Sequence, residues 1–258
     1  MSETFDYNPS RSLPARIARR LTQWRVADPV AKQPNRPIVS FTFDDFPKSA
    51  ADIGAQIIQD AGGRATYYAC TSFMNKTTST GEQFGRAEIE ALTKAGHEIG
   101  AHSHTHLDCS KAQVNQVRSD IQVNLAHLND LGVKDIQSFA YPYGETQHAL
   151  KHALKSEFLT ARGVLAGENT PRADRMQLRA LEISGQDWTV QRARKAIDAA
   201  KTSPAWIVIF THDVTTSPSD YGTTPQALKD LAQAAQDIGA EIITMKNAAK
   251  HLGIKTNA

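Results

Sequence analysis

The stretch IVSFTFDD, residues 38–45, is a run of β-branched and aromatic residues that ends in two adjacent carboxylates. Such a run is typical of a strand that is buried on both faces of a parallel sheet. The next segment, Ser49 to Ala61, is predicted to be a helix because Ile53, Ile57 and Ile58 recur along one face. A buried strand followed by a helix is the unit that builds α/β folds.

The same alternation continues to the end of the chain. Helical patterns run from Val114 to Leu131, just before Gly132, and from Pro225 to Gly239. About seven or eight βα units in one domain predict a distorted (β/α)7-8 barrel of the α/β class. The further strands are predicted at Ala65–Cys70, His97–Ala101, Gln137–Tyr141, Leu159–Val164, Leu178–Ile183, Trp206–Thr211 and Glu241–Met245.

The composition limits the classes of function. A chain of 258 residues with 40% hydrophobic residues can bury one substantial core, and we expect residues 37–258 to form it behind a basic leader, residues 1–36. The net charge of +2 is too small to indicate nucleic acid or another polyanion as a partner of the whole protein. Because neither a signal-peptide pattern nor a membrane-spanning run is found, we expect a soluble cytoplasmic protein whose Cys70 and Cys109 are free thiols.

Residues that carry chemistry follow the predicted strands directly, and barrel active sites form at the carboxyl ends of strands. Asp44 and Asp45 follow the first strand, and two like charges this close are costly unless a cation or a shared proton relieves them. A solvated turn or an N-cap for the next helix is the alternative interpretation of this pair. Further polar residues follow later strands at His102–His106, Tyr143, Asp187, His212 and Asp213.

The run from His102 to His106 places three imidazoles in five residues. Histidine is the commonest metal ligand. If the run turns helically, His102 and His106 share a face, and if it is extended, His104 points the same way as both. Two histidines, one carboxylate and an open position for water are the usual composition of a hydrolytic zinc site.

Two further segments end buried strands. The turn signal at residues 141–144, Tyr-Pro-Tyr-Gly, brings backbone N–H groups near the predicted site. His212 and Asp213 follow the buried run Ile207 to Thr211 and offer a titratable group for general acid catalysis. Each of these two signals is ordinary by itself, and its value comes from its position after a strand.

Together these residues resemble the motifs of the NodB-homology polysaccharide deacetylases, the fourth carbohydrate esterase family, over about residues 37–245. Residues 42–45, Thr-Phe-Asp-Asp, resemble the first motif, and residues 102–106, His-Ser-His-Thr-His, resemble the second. These two motifs in this order carry most of the specificity. Weaker matches to the third, fourth and fifth motifs lie at Pro142-Tyr143-Gly144, Asp187-Trp188 and Phe210-Thr211-His212.

The resemblance implies that the site is a metal-dependent hydrolase centre. Asp44 would be the general base, and Asp45, His102 and His106 would hold the metal, with Zn²⁺ expected and other divalent transition metals as alternatives. His104 would not be a ligand by this comparison. The hydroxyl residue that follows the first histidine would brace the loop.

The resemblance also implies roles around the metal. The backbone N–H of Tyr143 would help to form the oxyanion hole, His212 would be the general acid, and Asp187 would orient His212. The residues implied to contact substrate are Phe46, Pro142, Tyr143 and Trp188.

Three positions depart from the family pattern. Phe46-Pro47 follows the aspartate pair where the family usually has Gly, which predicts a differently shaped entrance. Ala140 occupies the place of an Arg that pairs with the catalytic Asp, so that salt bridge must come from elsewhere or be absent. Ser184 replaces the Asp that usually precedes Asp187, and an N-cap for the helix from about Val190 is therefore a rival role for Asp187.

The resemblance implies removal of N-acetyl groups from amino-sugar residues of a bacterial exopolysaccharide or its lipid-linked precursor, with holdfast as the most specific example. An amidohydrolase-type barrel is disfavoured, because its His-x-His lies on the opening strand and here the histidines come two strands later. Hydrolysis of a small cyclic amide or an O-acetyl ester is an alternative. An inactive sugar-binding domain that assists a synthase is another, and Ala140 is the feature in its favour.

The leader carries its own pattern. Leu13, Ile17, Leu21 and Trp24 lie along one helical face, and Arg11–Arg36 holds seven basic residues against one acidic residue. Such a stripe can lie on an anionic membrane, such as the inner membrane, through residues 11–25. The alternative is a helix that docks its stripe on the barrel and leaves its arginines in water.

Overall fold

The computed structural model describes residues 13–256 of the chain. Its main sheet is parallel, with the strand order β7-β6-β5-β2-β1-β9-β8 and with β10 paired to the start of β1. The strands are β1 (Ile38–Asp44), β2 (Thr66–Ala69), β3 (Thr77–Thr78), β4 (Gly81–Glu82), β5 (Glu98–Ala101), β6 (Ser138–Ala140), β7 (Thr160–Arg162), β8 (Leu181–Glu182), β9 (Trp206–Thr211) and β10 (Glu241–Ile242).

Helices alternate with these strands. A π-helical turn at Ala50–Gly54 leads into the second helix, and short 3₁₀ turns lie at Thr71–Phe73 and Pro142–Gly144. The helices are α1 (Leu13–Trp24), α2 (Ala55–Asp60), α3 (Arg86–Lys94), α4 (Val114–Asp130), α5 (His148–Leu154), α6 (Asp187–Ala200), α7 (Pro225–Asp237) and α8 (Met245–His251).

The sheet curls into a half-barrel, which confirms the predicted (β/α) barrel class. Strand β1 lies at its centre and is buried along its whole length, as its apolar run predicts. Its two hydroxyl residues are satisfied inside the barrel, since Ser40 Oγ accepts from Trp206 Nε1–H at 3.0 Å and Thr42 Oγ1–H donates to the Ile209 carbonyl at 2.9 Å. Apolar clusters cover both faces of the sheet.

The barrel is irregular between its last strands. The strand predicted at Leu178–Ile183 is shortened to β8, and the residues before it run beside β7 through an isolated bridge between Arg162 and Leu178. The strand predicted at Glu241–Met245 also ends early, because Thr244 caps α8 by accepting from the Asn247 N–H at 3.2 Å. Both of these strands are therefore shorter in the structure than the sequence predicts.

Helix α1 is held to the barrel by a buried lysine. Lys151 is fully buried, and its ammonium group donates to the carbonyl oxygens of Thr22 at 2.6 Å and Arg25 at 2.7 Å and to Asp174 Oδ2 at 2.8 Å. The last carbonyls of a helix lack partners within it, so a buried cation there satisfies them and favours the helix dipole. Arg19 adds an ion pair with Glu145 at 3.3 Å.

Helix α1 docks on the barrel through its polar side. The alternative prediction, that its apolar stripe packs on the barrel, is therefore wrong. Ile17, Leu21 and Trp24 are 50%, 42% and 71% exposed. The side chain of Leu13 lies outside the described residues. The reason is that the barrel offers a buried lysine and a carboxylate at this place, and these partners recruit the carbonyl end and Arg19 of the helix. Within residues 13–256 no helix has the length and apolar character needed to cross a membrane.

Candidate active site

A cleft of about 260 Å³ opens at the carboxyl ends of the central strands. Parallel strands bring the residues that follow them to one edge, and this gathers side chains that are distant in sequence. The cleft is lined by Asp44, Asp45, Phe73, Thr78, Ser79, Thr80, His102, His106, Tyr143, Gly144, Val164, Glu182, Phe210, His212 and Tyr221.

Asp45, His102 and His106 form a compact donor set at the floor of the cleft. One ligand atom from each lies within 4.8 Å of the others, and all three residues are buried. Nε2 of His102 lies 3.7 Å from Asp45 Oδ1, and Nε2 of His106 lies 3.6 Å from Asp45 Oδ2. These separations exceed hydrogen-bond length and leave space between the donors for an ion.

The chemistry of the donor set fits a divalent metal. The Nδ1–H of His102 donates to the Ala140 carbonyl at 2.8 Å, which leaves the Nε2 lone pair directed at Asp45. Asp45 Oδ1 is buried and accepts no hydrogen bond from any of residues 13–256. Burial lowers the pKa of both histidines to about 4, so both are neutral ligands at neutral pH. His104 is turned away and bonds Thr71 Oγ1 through Nδ1 at 2.9 Å.

Strained backbone brings these residues together. Asp45, Ser103, His106 and Tyr143 have φ values of 53°, 60°, 56° and 59°, in the left-handed region that is uncommon for residues other than glycine, although Asp and His tolerate it better than most. Each such residue costs about 1–2 kcal/mol. The surrounding structure sustains this cost at the residues that hold or adjoin the donor set, as is common at functional sites.

Helix α4 braces the histidine loop, residues 102–106, and the sequence pattern did not predict these contacts. The Asp120 carboxylate accepts from the backbone N–H groups of His104 at 2.6 Å and Thr105 at 3.1 Å and from the Thr105 hydroxyl at 2.8 Å. Asn124, one turn later and fully buried, donates to the Ala69 carbonyl at 2.9 Å. The signal for Asn124 was a polar residue on the apolar face of a predicted helix. Ser103, expected to brace the loop, has a buried hydroxyl without a partner among the described residues.

Asp44 is paired with Arg162, which is fully buried on β7. One guanidinium nitrogen of Arg162 donates to both carboxylate oxygens of Asp44, and a second donates to the Gly163 carbonyl at 2.9 Å. The guanidinium lies over the rings of Phe210 at 4.8 Å and Tyr68 at 5.3 Å. Burial is the largest single influence and raises the pKa of Asp44. The charge and hydrogen bonds of Arg162, together with the nearby His102 and His212, outweigh burial and hold that pKa below its ordinary value.

Arg162 supplies the salt bridge that Ala140 cannot. The two residues are register partners on β6 and β7, so their side chains rise from neighbouring positions on the same face of the sheet. A charged residue inside the predicted strand Leu159–Val164 was the available sequence signal, because charges in buried strands need partners. The partner could not be read from the sequence, since it lies 118 positions away.

His212 lies at the mouth of the cleft directly after β9. Its backbone N–H donates to the Tyr221 carbonyl at 3.2 Å, and its ring Nδ1 lies 3.3 Å from the same oxygen. A donor bond from Nδ1 would leave Nε2 as the other ring nitrogen of a residue that lines the cleft. Asp213 is buried and organises the following loop by accepting from the Ser219 N–H at 2.9 Å and from the Ser219 hydroxyl.

The structure places four other predicted site residues differently. Phe46 is fully buried between Phe84 and Tyr67, and Pro142 is buried below the turn, so neither side chain lines the cleft. Trp188 is 57% exposed on α6 and packs against Arg192. Asp187 is the exposed first residue of α6, after the N-cap residue Gln186, where its charge favours the helix dipole.

Phe46 and Pro47 shape the entrance indirectly. Pro47 bridges to Gln83, and Phe46 stacks on Phe84 at 4.3 Å, so this segment positions the hairpin β3–β4. Buried Gln83 donates to the hydroxyls of Thr78 at 2.8 Å and Thr80 at 3.0 Å and thereby shapes the hairpin tip that lines the cleft. The hairpin escaped the sequence interpretation because its strands are only two residues long.

The comparisons with known proteins agree with this geometry. The family model described as polysaccharide deacetylase matches residues 31–161, from the leader through β7's centre. The chain belongs to the polysaccharide deacetylase family. A curated relative, a bifunctional xylanase/deacetylase of Pseudobutyrivibrio xylanivorans, is 20% identical over 223 residues. That match covers 86% of this chain and 32% of the relative, so the chain spans about a third of the relative's length.

Solved structures share the polysaccharide deacetylase fold with this chain. The Xyl-CE4 domain of a multidomain xylanase from the hindgut metagenome of Trinervitermes trinervoides has a TM-score of 0.62 at 20% identity, covering 87% of this chain and 95% of that domain. A family 4 carbohydrate esterase from Streptomyces lividans, in complex with acetate, gives 0.55 at 20% identity, covering 79% and 90%. A family 4 pseudoenzyme from Bacillus anthracis gives 0.58 at 14% identity, covering 84% and 66%.

Proposed function

We propose that this chain removes N-acetyl groups from amino-sugar residues of a bacterial polysaccharide or its lipid-linked precursor, with a metal held by Asp45, His102 and His106. One observation carries the proposal: the donor set and Asp44, which is paired with Arg162, line the same cleft. Exopolysaccharides, including holdfast, are the substrate class that we propose within this activity.

Zn²⁺ is the metal that we propose for the donor set, because two imidazoles and one carboxylate with an open position match hydrolytic zinc sites. When bound, such an ion makes water more acidic and polarises a carbonyl group. His102 is held in the ligating tautomer by the Ala140 carbonyl, and the histidine loop is held by Asp120. The chain therefore orients its ligands before an ion arrives.

Asp44 is proposed as the general base that takes a proton from the attacking water. Its lowered pKa keeps it ionised, which a base requires before it can accept a proton. The cost is a weaker base, and the buried ion pair with Arg162 fixes the carboxylate in place. Asp44 is thus fixed in position and ionised at neutral pH, although its basicity is lower than that of an unpaired carboxylate.

His212 is proposed as the general acid. An amide nitrogen leaves poorly as an unprotonated amine, so a proton must reach it as the C–N bond breaks. The Tyr221 carbonyl lies beside Nδ1 of the His212 ring, and His212 lines the cleft. The backbone N–H of Tyr143 is proposed to stabilise the oxyanion, and the strained Tyr143 turn at the cleft wall supports that assignment. A role for Asp187 in orienting His212 stays a prediction.

One assay tests the activity against its rivals. Acetate release is measured from N-acetylglucosamine oligomers and from an O-acetyl ester, and ring opening is measured on a cyclic amide, each with and without added Zn²⁺. Turnover of the oligomers that requires the metal supports the proposal. Preference for the ester or the cyclic amide favours the small-molecule alternative, and inactivity on all substrates favours a sugar-binding domain. The intact donor set and the Arg162–Asp44 pair argue against that last alternative.

We also propose that α1 contacts an anionic membrane, so that the site lies beside a lipid-linked glycan. The exposed residues Leu21 and Trp24 form the apolar side of the helix, and the exposed cations Arg20 and Arg25 flank them. Arg20 lies 5.9 Å over the Trp24 ring. Apolar burial with flanking cations is the pattern of interfacial helices. The cytoplasmic location stays a prediction.

A further inference from the structure

A second depression of about 190 Å³ adjoins the cleft, and both are lined by Gly144 and Val164. Gly144 has φ +69°, and a Cβ at this position would meet the Val164 side chain at 2.3 Å. The close approach of these two residues makes a low ridge between the two spaces. A chain-like ligand in the cleft can continue over this ridge into the depression.

Helix α1 forms one wall of the depression, although it lies before the residues that match the family model. The opposite wall comes from the loop after Tyr143 and from the segment before β8. The lining residues are mostly amides, hydroxyls and a charged pair: Arg19, Thr22, Gln23, Glu145, Thr146 and Gln177.

The two walls are fixed relative to each other. Buried Lys151 donates to the Thr22 carbonyl at 2.6 Å and to Gln177 Oε1 at 3.1 Å, so one ammonium group joins α1 to the opposite wall. The ion pair of Arg19 with Glu145 at 3.3 Å joins them again at the ridge. A preorganised polar depression loses little conformational entropy when it binds a ligand.

The chemistry of the walls suits a sugar ring. Pyranose hydroxyl groups donate and accept hydrogen bonds, and amide side chains do both. The carboxamide of Gln23 makes no hydrogen bond within residues 13–256, and the residue is only partly buried, so its donors and acceptor are available. Gln23 points to nearly the opposite side of α1 from the exposed Leu21, since successive residues of an α-helix are about 100° apart.

We propose that this depression is a subsite for the sugar residue next to the one that loses its acetyl group. The identity of the ligand rests on the proposed deacetylase function, while the depression itself is a feature of the fold. The N-terminal helix would then determine how well longer glycans bind. Monomeric substrates would not use it.

Two measurements test the subsite. Binding of N-acetylglucosamine oligomers of one to four residues is measured by calorimetry on the Zn²⁺-loaded chain carrying Asp44→Asn, which blocks turnover. Acetate release from the same oligomers is measured on the chain with Asp44 intact. Each is repeated with Gln23→Ala, a change that favours the helix, and with Arg20→Ala as a matched control on the exposed side of α1.

The subsite predicts that affinity rises with oligomer length and that Gln23→Ala lowers it roughly 3- to 10-fold for longer oligomers only, the range for one lost hydrogen bond. Arg20→Ala should leave all affinities unchanged. Affinity that does not depend on length, or a Gln23→Ala effect equal for monomer and tetramer, overturns the subsite. Length-dependent binding without acetate release from any oligomer overturns the deacetylase function and leaves the subsite standing.

Discussion

Ala140 and Arg162 are register partners on β6 and β7, and the guanidinium of Arg162 reaches Asp44 across the barrel interior. Ala140 packs in the same cluster as Tyr68 and Phe210, the two rings that flank Arg162. The arginine that the family resemblance leads one to expect at position 140 is therefore supplied by the neighbouring strand. The ion pair is kept while the strand that carries it has changed.

The pairing of Ala140 with Arg162 predicts that an arginine at position 140 can partly replace Arg162. Arg162→Ala should leave Asp44 buried without a partner, which costs about 3–5 kcal/mol of stability, and should lower acetate release at least about 10²-fold. Adding Ala140→Arg to that variant returns a guanidinium one strand away, and we expect part of both losses to be recovered. Urea unfolding and acetate release measure the two effects. A double variant no better than Arg162→Ala would show that position 140 cannot reach Asp44.

The donor set predicts that metal and activity are lost together. His106→Ala should lower bound metal and acetate release in parallel, because the remaining two donors bind an ion weakly. His104→Ala is the matched control, since His104 bonds Thr71 and is turned away from the donors. Asp44→Asn should keep metal near normal while activity falls at least about 10²-fold. Full metal occupancy in His106→Ala, measured by elemental analysis, would remove His106 from the ligand set.

The general-acid role of His212 predicts selectivity between leaving groups. His212→Ala should reduce hydrolysis of an N-acetyl sugar far more than hydrolysis of an activated acetyl ester, whose leaving group needs little protonation. Tyr221→Phe keeps the backbone carbonyl that orients His212 and serves as the control. The measurement is the ratio of kcat/KM on the two substrates. Equal losses on both would assign His212 a structural or substrate-binding role.

A buried histidine remote from the donor set predicts loss of stability in acid. Burial and the nearby charge of Arg64 lower the pKa of His97 to about 4, and its Nδ1 accepts from the Ala65 N–H at 3.0 Å. The unfolded chain, with an ordinary pKa of 6.5, binds this proton more readily, so stability present above pH 6.5 is lost as pH falls toward 4. The loss at pH 5 is on the order of 2 kcal/mol.

The check is urea unfolding of the metal-free protein at pH 7 and pH 5, with His97→Asn as the control. Asn Oδ1 can accept the Ala65 bond but does not titrate, and the contributions of His102 and His106 are common to both proteins. We expect the variant to lose on the order of 2 kcal/mol less between the two pH values. Identical losses would mean that the pKa of His97 is the same in the folded and the unfolded chain.

The exposed side of α1 predicts binding to anionic liposomes. The chain should float with vesicles that contain an anionic lipid at low salt, and binding should weaken as salt screens the arginines. Trp24→Glu should abolish flotation without unfolding, because Trp24 is already 71% exposed. Val123→Glu, at an exposed position on α4, is the matched control. Flotation that Trp24→Glu leaves unchanged would exclude α1 as the contact.

The sequence predicted what depends on local pattern. Strand β9 has the predicted bounds Trp206–Thr211, and the donor set was found because each ligand follows a strand. The features that the sequence did not predict depend on which strands become neighbours in the sheet. The partnership of Arg162 with Asp44 requires the β6–β7 register and the curl of the sheet, and long-range pairing of this kind has no local signature.

The leader shows the same limit in another form. Periodicity predicted a helical leader, and α1 spans Leu13–Trp24. The face that docks depends on Lys151, which lies more than a hundred residues away in sequence. The burial of Phe46 also depends on a tertiary contact, its stacking on Phe84. Trp188 is exposed and contacts Arg192 one turn along the same helix. The motifs identified Asp44 and the donor set, while tertiary packing determines which flanking residues line the cleft.

The left-handed backbone at the cleft restricts which substitutions this chain can accept. Glycine at Asp45 or His106 would relax the chain and delete a ligand, whereas a β-branched residue could not adopt the required φ. A single substitution at either position therefore loses the ligand atom or disfavours the backbone conformation, so few such substitutions are neutral. Sequence divergence is then expected in elements with ordinary backbone, such as the β3–β4 hairpin and α1, while the donor set at the floor of the cleft stays fixed.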